Sequence, residues 1–177
     1  MIGATYLDFD STLNSAMKLM KQDINPTFGL LVVTGINLGL RISDLLELTY
    51  GDLRGEFITI KEGKTGKDRT LKINDHIHTA VALFSKENGN FKAFRSQKDS
   101  VYSIQQVNRL IKQYYKGADI SSHSLRKTFG RRVWNNNQQS EKALMYLSEL
   151  FNHSSIALTR RYLGIRQEEL DDIYMNL

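Results

Sequence analysis

A single proline, Pro26, interrupts this chain of 177 residues, and no glycine- and serine-rich linker, internal repeat or low-complexity tract divides it. Because proline and clustered glycines are the residues that break helices, so few breakers favour a mostly helical fold. The length suits one domain of ordinary size rather than two. Hydrophobic residues make up 41% and charged residues 24% of the chain, so a sizeable core is expected and wholesale disorder is not.

The spacing of apolar residues predicts the helices. The first begins at Ser11 with Asp10 or Ser11 as its cap. The second opens with Asn25 as cap and Pro26 as the first helical residue, and it ends near Gly39. A short amphipathic piece follows at 42–48. Further helices are predicted at 75–88, 103–116, 124–136, 140–151, 155–162 and 166–174, with Asp75, Ser103 and Ser140 as caps.

Two segments change from a helical period to the alternation typical of half-buried strands. They are residues 56–61 and 69–73, and the turn between them, 63–68, is polar and contains two glycines. This pattern predicts a β-hairpin with a basic tip. The expected fold class is therefore mainly α with a small antiparallel β-sheet, an α+β architecture.

Charge and composition limit the classes of function. The chain has 24 Lys and Arg residues against 19 Asp and Glu, a net charge of +5, which suits a polyanionic partner. Cysteine is absent, which excludes disulfides, thiol catalysis and cysteine metal sites. No apolar run approaches the roughly 18 residues that a membrane span needs. The acidic N-terminus does not resemble a secretory signal, so a cytoplasmic protein without a membrane partner is expected.

Charged residues occur inside otherwise apolar helical segments at two places. Arg41 lies between leucines at a helix boundary, where it can extend from the core edge and pair with Asp44 three residues on. His123 and Arg126 share a helical face, where a guanidinium can hold two phosphate oxygens and an imidazole can move a proton. Alternatively, the second segment is a solvated basic helix face.

A third cluster contains His153 and Tyr162, nine residues apart, which can face one pocket if a turn and a helix separate them. Taken alone, Tyr162 fits equally a core or surface-contact tyrosine. His76 and His78 are two residues apart and would point to different sides of a helix, so no metal site is predicted.

These segments occur in the order and local context of one known family. The matching residues are Gly39–Leu46 (GLRISDLL), Lys64–Lys67 (KTGK), His123–Arg126 (HSLR), His153–Ser155 (HSS) and Arg161–Tyr162. From about residue 25 to 162, the chain resembles the catalytic domain of the tyrosine recombinases, the phage-integrase family. Each motif is weak alone, but the ordered set is specific.

The resemblance implies a DNA recombinase or integrase that cuts and rejoins strands through a 3′-phosphotyrosyl intermediate, with no metal or cofactor. By position, Tyr162 looks like the nucleophile, and Arg41 and Arg126 like the clamp on the phosphate. By the same resemblance, Lys64 looks like the general acid, and His123 like the residue that aids proton transfer at the tyrosine. His153 looks like a hydrogen-bond donor to the phosphate, and Asp44 like a residue that supports the site. Neighbouring basic residues are predicted to contact DNA, namely Lys67, Lys127, Arg131, Arg160 and Arg161.

The chain departs from the family pattern before the second histidine, where Phe151-Asn152 replaces the commonest Leu-Gly. Asparagine tolerates a left-handed backbone best after glycine, so the turn is expected to survive. Residues 1–177 are expected to form one catalytic domain, with a lead-in helix in 1–24, a tail helix in 165–177 and no N-terminal DNA clamp domain. The resemblance also implies double-stranded DNA as partner and a tetramer on DNA. The apolar residues of the tail can dock on a neighbouring protomer or fold back.

Two other functions fit the same residues. One is a catalytically idle DNA-binding regulator, which the intact set of site residues argues against. The other is a type IB topoisomerase-like relaxing enzyme, which shares the phosphotyrosine step but acts without a defined pair of sites. Salt-dependent DNA binding alone separates none of them, because any basic domain shows it.

Overall fold

The computed structural model describes residues 3–61, 66, 68–117 and 119–177, together with the side chains of all these residues except Gln167. They form ten helices and one two-stranded antiparallel sheet. The predicted fold class, mainly α with a small antiparallel sheet, is confirmed. Along the chain, the elements are α1 (Phe9–Lys21), α2 (Pro26–Leu38), α3 (Ile42–Leu46), α4 (Tyr50–Arg54), β1 (Phe57–Lys61), β2 (Asp68–Lys72), α5 (Asp75–Ala82), α6 (Ile104–Tyr114), α7 (Ser122–Asn136), α8 (Glu141–Phe151), α9 (Ile156–Leu163) and α10 (Ile165–Met175).

Most helix boundaries follow from capping residues. Asn25 caps α2 with its side chain on the Phe28 N–H, and Pro26 is the first helical residue, as predicted. The predicted start of α1 is wrong by two residues, because Asp8, rather than Asp10 or Ser11, accepts the Ser11 N–H. Two other helices also have caps that lie earlier in the chain than predicted. Asn74 caps α5 and Ser121 caps α7, and α5 ends at Ala82 instead of continuing to 88.

Helix α2 is the centre of the larger core. Every residue from Phe28 to Leu38 is buried, so this helix is enclosed on all sides instead of lying at the surface. Helices α1, α5 and α7 pack around it. A second, smaller core lies between α7, α8 and α9 and contains Trp134, Leu147, Phe151 and Leu163. Helix α7 contributes to both cores, through Leu125 and Trp134.

The predicted hairpin is present. Strands β1 and β2 pair antiparallel, with Ile58 opposite Leu71, and Ile58 is buried while its neighbours Phe57 and Thr59 are exposed. This alternation is that of a sheet covered on one face. The predicted basic tip, including Lys64 and Lys67, lies outside the described residues.

Gly39 ends α2 in a left-handed conformation, with φ of 62° and ψ of 25°. A Cβ at this position would overlap the ring of Phe129. The glycine therefore meets two needs, an unusual φ and the close approach of α7. Its carbonyl also points at the site, since it accepts a hydrogen bond from Arg126.

Gly39→Ala is expected to lower the free energy of unfolding by about 3 kcal/mol, the sum of left-handed strain and overpacking against Phe129. Gly164→Ala is the matched control, because Gly164 also has a left-handed φ of 78° but open space where the Cβ would stand. The control should cost only about 1 kcal/mol. Urea denaturation of both variants measures the difference, and equal losses would contradict the steric role of Phe129.

Candidate active site

Arg41 follows the end of α2 and occupies the N-cap position of α3. Its guanidinium donates from Nη2 to the carbonyl oxygen of Phe151 at 3.3 Å, and its Nη1 lies 4.0 Å from Oδ2 of the buried Asp44. The predicted pairing of Arg41 with Asp44 is therefore present at the limit of an ion pair. The Arg41 side chain remains 23% exposed.

Arg126 lies on the first half of α7 and is almost completely buried. Its Nη1 donates to the carbonyl of Gly39 at 2.7 Å and its Nη2 to the carbonyl of Phe151 at 3.2 Å. The guanidinium carbon also lies 4.3 Å from the centre of the Phe151 ring. Backbone oxygens and an aromatic face thus stabilise a cation in a place where burial alone would penalise it.

Phe151, the last residue of α8, connects the site residues. Its carbonyl oxygen accepts from both Arg41 and Arg126, which brings the two guanidinium groups to one point. Its ring meets the rings of His153 and Tyr162, each with a centroid separation of 5.5 Å. From the sequence, Phe151 stood out only as a departure from a family pattern. The signal that was available was an aromatic residue directly before the turn to His153.

The turn after Phe151 depends on Asn152, which adopts the left-handed conformation with φ of 51° and ψ of 50°. The expectation that asparagine preserves this turn is confirmed. It brings His153 back over the site, where the imidazole lies edge-on to the Tyr162 ring at 5.2 Å between centroids. Nδ1 of His153 lies 2.9 Å from Oγ1 of Thr159 on α9.

Tyr162 lies near the end of α9, against the ring of Phe151. The Nζ atom of Lys127 lies 5.0 Å from the centre of its ring. The hydroxyl oxygen is buried and makes no hydrogen bond of standard geometry with the described residues. Burial raises the pKa of Tyr162, and the nearby Arg126 and Arg41 partly oppose that rise. The free chain therefore holds a neutral phenol at pH 7.

His123 occupies the first turn of α7 and is exposed. Partial burial lowers the pKa of His123 below the ordinary 6.5, and the positive charges of Arg126 and Lys127 lower it further. The imidazole is consequently neutral at pH 7 and able to accept a proton. Phe151 thus contacts four of the predicted site residues, namely Arg41, Arg126, His153 and Tyr162. His123 lies at the edge of this group.

The basic residues predicted to contact DNA fall into different environments. Arg131 is enclosed by the rings of Tyr6 and Trp134 and forms an ion pair with Glu168 at 2.7 Å. Lys127 is also buried, against Tyr162. Both side chains are therefore enclosed by other parts of the chain, and their contact with DNA stays a prediction.

The other residues of that prediction differ again. Arg160 is occupied by Glu169 at 2.8 Å and Glu141 at 3.6 Å, whereas Arg161 is exposed. Lys67, and the general-acid candidate Lys64, lie outside the described residues. His76 and His78 are bonded on different sides of α5, to Asn37 Oδ1 at 3.2 Å and to the Gly55 carbonyl at 2.9 Å. Within the described ranges, no three His, Asp or Glu side chains gather as metal ligands would.

The charge of Lys127 should be measurable through His123. We expect Lys127→Gln to raise the pKa of His123, because a positive neighbour disfavours the imidazolium. In the wild-type chain the depressed pKa makes the folded state bind protons less readily than the unfolded state, so stability should fall as pH drops below about 6.5. NMR titration of the histidine ring protons measures the pKa values, and urea denaturation at several pH values measures the stability. His153, whose neighbours are Arg126 and Arg41, is the internal control, and an unchanged His123 midpoint would contradict the arrangement.

Comparison with known proteins decides which family uses this arrangement. The family model described as the phage integrase family matches residues 11–169, which is most of the chain. The chain belongs to the phage integrase family. Its members are the tyrosine recombinases that the sequence motifs indicated, so the resemblance is confirmed.

The relatives of this integrase-family chain include both sequences and solved structures. Probable integrase/recombinase YoeC of Bacillus subtilis (strain 168) is 32% identical over 146 residues, covering 78% of this chain and 77% of YoeC. The crystal structure of XerA recombinase superposes with a TM-score of 0.70 at 19% identity, covering 98% of this chain and 65% of that one. A lambda integrase dimer bound to a COC′ core site gives a TM-score of 0.68 at 16% identity, covering 92% and 49%. The chain therefore spans less than two thirds of these two solved relatives, and the likeness confirms the predicted tyrosine recombinase fold.

Proposed function

We propose that residues 1–177 form the catalytic domain of a site-specific DNA strand transferase that serves integration or excision of a mobile element or phage. The observation that carries the proposal is the meeting of two guanidinium groups at the Phe151 carbonyl, directly beside the Tyr162 ring. In a tyrosine recombinase, this arrangement would bring the nucleophile and the phosphate clamp together in one site. The DNA substrate would place its action at the nucleoid.

In the proposed reaction, the Tyr162 oxygen attacks the scissile phosphorus, and the bond from phosphorus to the 5′-oxygen breaks. His123, neutral at pH 7, accepts the phenol proton, and Lys64 protonates the leaving 5′-oxygen. The product is a 3′-phosphotyrosyl linkage and a free 5′-hydroxyl. Attack by another 5′-hydroxyl reverses the step and joins the strand, so the covalent linkage conserves the phosphodiester energy.

The arginine pair supplies the electrostatics of this step. Negative charge grows on the non-bridging oxygens in the transition state, and Arg41 and Arg126 converge where those oxygens would lie. His153 adds a neutral hydrogen-bond donor, while the buried Asp44 orients Arg41. Because two fixed guanidinium groups provide the charge that a divalent ion would provide elsewhere, we propose that strand transfer needs no metal ion.

The site predicts a covalent intermediate, which can be trapped. Duplex DNA with a randomised centre is first enriched by binding to the protein, then nicked near the centre so that cleavage releases a short fragment and cannot reverse. Quenching in SDS should leave a protein band shifted by the attached DNA. Enriched DNA that binds but never yields this band would instead indicate a DNA-binding regulator. Relaxation of a supercoiled plasmid without the enriched sequence would indicate a topoisomerase-like enzyme.

We also propose that the protein assembles on DNA through its tail. Glu168 and Glu169 of α10 pair with Arg131 and Arg160, and Ile165 is buried, so the start of the helix is fixed to its own domain. The apolar residues further along are exposed, namely Leu170, Ile173, Tyr174, Met175 and Leu177. An exposed apolar end on an anchored helix supports docking on a second copy.

Removing residues 171–177 should therefore reduce assembly on DNA without unfolding the domain, because Ile165 and both glutamates remain. Light scattering of the protein with its enriched DNA measures the size of the complex. We expect the shortened chain to remain at one protomer per binding site at concentrations where the full chain forms tetramers. An unchanged size would show that the tail does not dock in trans.

A further inference from the structure

The side chain of Thr159 contacts the imidazole of His153. Its Oγ1 lies 2.9 Å from Nδ1 of the imidazole, and Thr159 is completely buried. It stands on α9 three residues before Tyr162, so the same helix carries the nucleophile and the hydroxyl that contacts the histidine. Neither composition nor motif spacing pointed to this threonine.

A hydroxyl carries only one proton, and the Thr159 hydroxyl has two acceptors within reach. Nδ1 of His153 lies at 2.9 Å, whereas the carbonyl oxygen of Ser155 lies at 3.4 Å. The Ser155 carbonyl also accepts the backbone N–H of Thr159 at 3.3 Å. The shorter distance favours donation to Nδ1, because 3.4 Å is long for a hydrogen bond from a hydroxyl.

Donation to Nδ1 fixes the state of the ring. A neutral imidazole has one N–H, and if Nδ1 accepts a hydrogen bond, that N–H must be on Nε2. Burial and the charges of Arg126 and Arg41 lower the pKa of His153, so the doubly protonated ring, in which both nitrogens donate, is disfavoured at pH 7. Which nitrogen carries the single proton therefore decides whether the ring can donate toward a phosphate.

We propose that Thr159 is a positioning residue that holds His153 in the tautomer with its proton on Nε2, ready to donate to an oxygen of the scissile phosphate. The inference rests on the proposed function, in which His153 contacts that phosphate. Thr159 itself touches no reacting atom. It also couples the ring to α9, so the imidazole and Tyr162 keep a fixed relation.

The first test measures the tautomer in the free protein, without DNA. In a chain labelled with ¹⁵N-histidine, the two ring nitrogens of His153 are distinguished by their chemical shifts and their couplings to ring protons. We expect an unprotonated Nδ1 and a protonated Nε2 in the wild type and in Thr159→Ser. Thr159→Val keeps the shape but removes the hydroxyl, and its His153 should populate both tautomers. A wild-type ring with its proton on Nδ1 would overturn the proposal.

The second test measures cleavage of the nicked DNA. Thr159→Val should slow covalent trapping by about 10- to 100-fold, as loss of a residue that orients a ligand-bearing histidine does elsewhere, and Thr159→Ser should restore it. In a His153→Ala background, Thr159→Val should have no further effect. Additive losses would show that Thr159 acts other than through His153 and would overturn the proposal.

The two tests separate this inference from the proposed function. If the wild-type protein shows the Nε2–H tautomer and Thr159→Val loses it, the role of Thr159 in setting the ring stands even where no covalent DNA species forms. The absence of that species would then count against strand transfer alone. Thermal unfolding of both threonine variants confirms that they are folded.

Discussion

Tyr162→Phe is expected to abolish the SDS-resistant protein–DNA species, lowering its formation by about 10⁴-fold or more, because the variant has no oxygen to attack phosphorus. The variant should fold normally. The Tyr162 hydroxyl is buried beside Arg126, and the guanidinium keeps its hydrogen bonds to the Gly39 and Phe151 carbonyls when that hydroxyl is removed, so the melting temperature should change little.

Tyr146→Phe is the matched control for this change. Tyr146 is an exposed tyrosine on α8, and its hydroxyl lies outside the arginine site. Trapping by this control should equal that of the wild type. A covalent species that persists in Tyr162→Phe would assign the nucleophile to another residue.

Arg126→Lys is expected to reduce the rate of trapping by about 100- to 1,000-fold, the effect of losing one preorganised donor to a developing oxyanion. Lysine keeps the charge but not the planar fork that reaches the Gly39 carbonyl, the Phe151 carbonyl and a phosphate together. The free energy of unfolding should also fall, by about 1.5–3 kcal/mol for each charged hydrogen bond lost.

The matched control is Arg161→Lys, since Arg161 is exposed and adjacent to the nucleophile in sequence. Its effect on the trapping rate should be at least about tenfold smaller than that of Arg126→Lys, because an exposed cation acts on DNA as a point charge. Similar losses in both variants would mean that positive charge near the site, and not the geometry of Arg126, supports catalysis.

Local signals in the sequence predicted most of the fold. Asn25-Pro26 and Gly39 set the ends of α2, and Ser103 and Ser140 cap the helices that they were expected to cap. The five-residue helix α4 was not predicted, since its capping box from Thr49 to Asp52 encloses too few residues to show a period. The helices α1 and α7 start earlier than predicted because several neighbouring residues have side chains that can cap a helix.

The site was predictable as a set of residues but not as an arrangement. Arg41 and Phe151 are 110 residues apart, and nothing in a local pattern indicates that a carbonyl joins them. The enclosure of Arg131 between two aromatic rings was equally hidden, because a run of basic residues on a helix indicates a solvated face until partners from distant segments are known. Thr159 was overlooked because a threonine in a helix carries no sign of its partner.

The most direct test of the central claim is to locate the DNA attachment by mass spectrometry. The trapped species is digested with nuclease and protease, and the modified peptide is sequenced. We expect one modified peptide, with a nucleotide joined through its 3′-phosphate to the oxygen of Tyr162. A linkage to another residue, or to a 5′-phosphate, would contradict it.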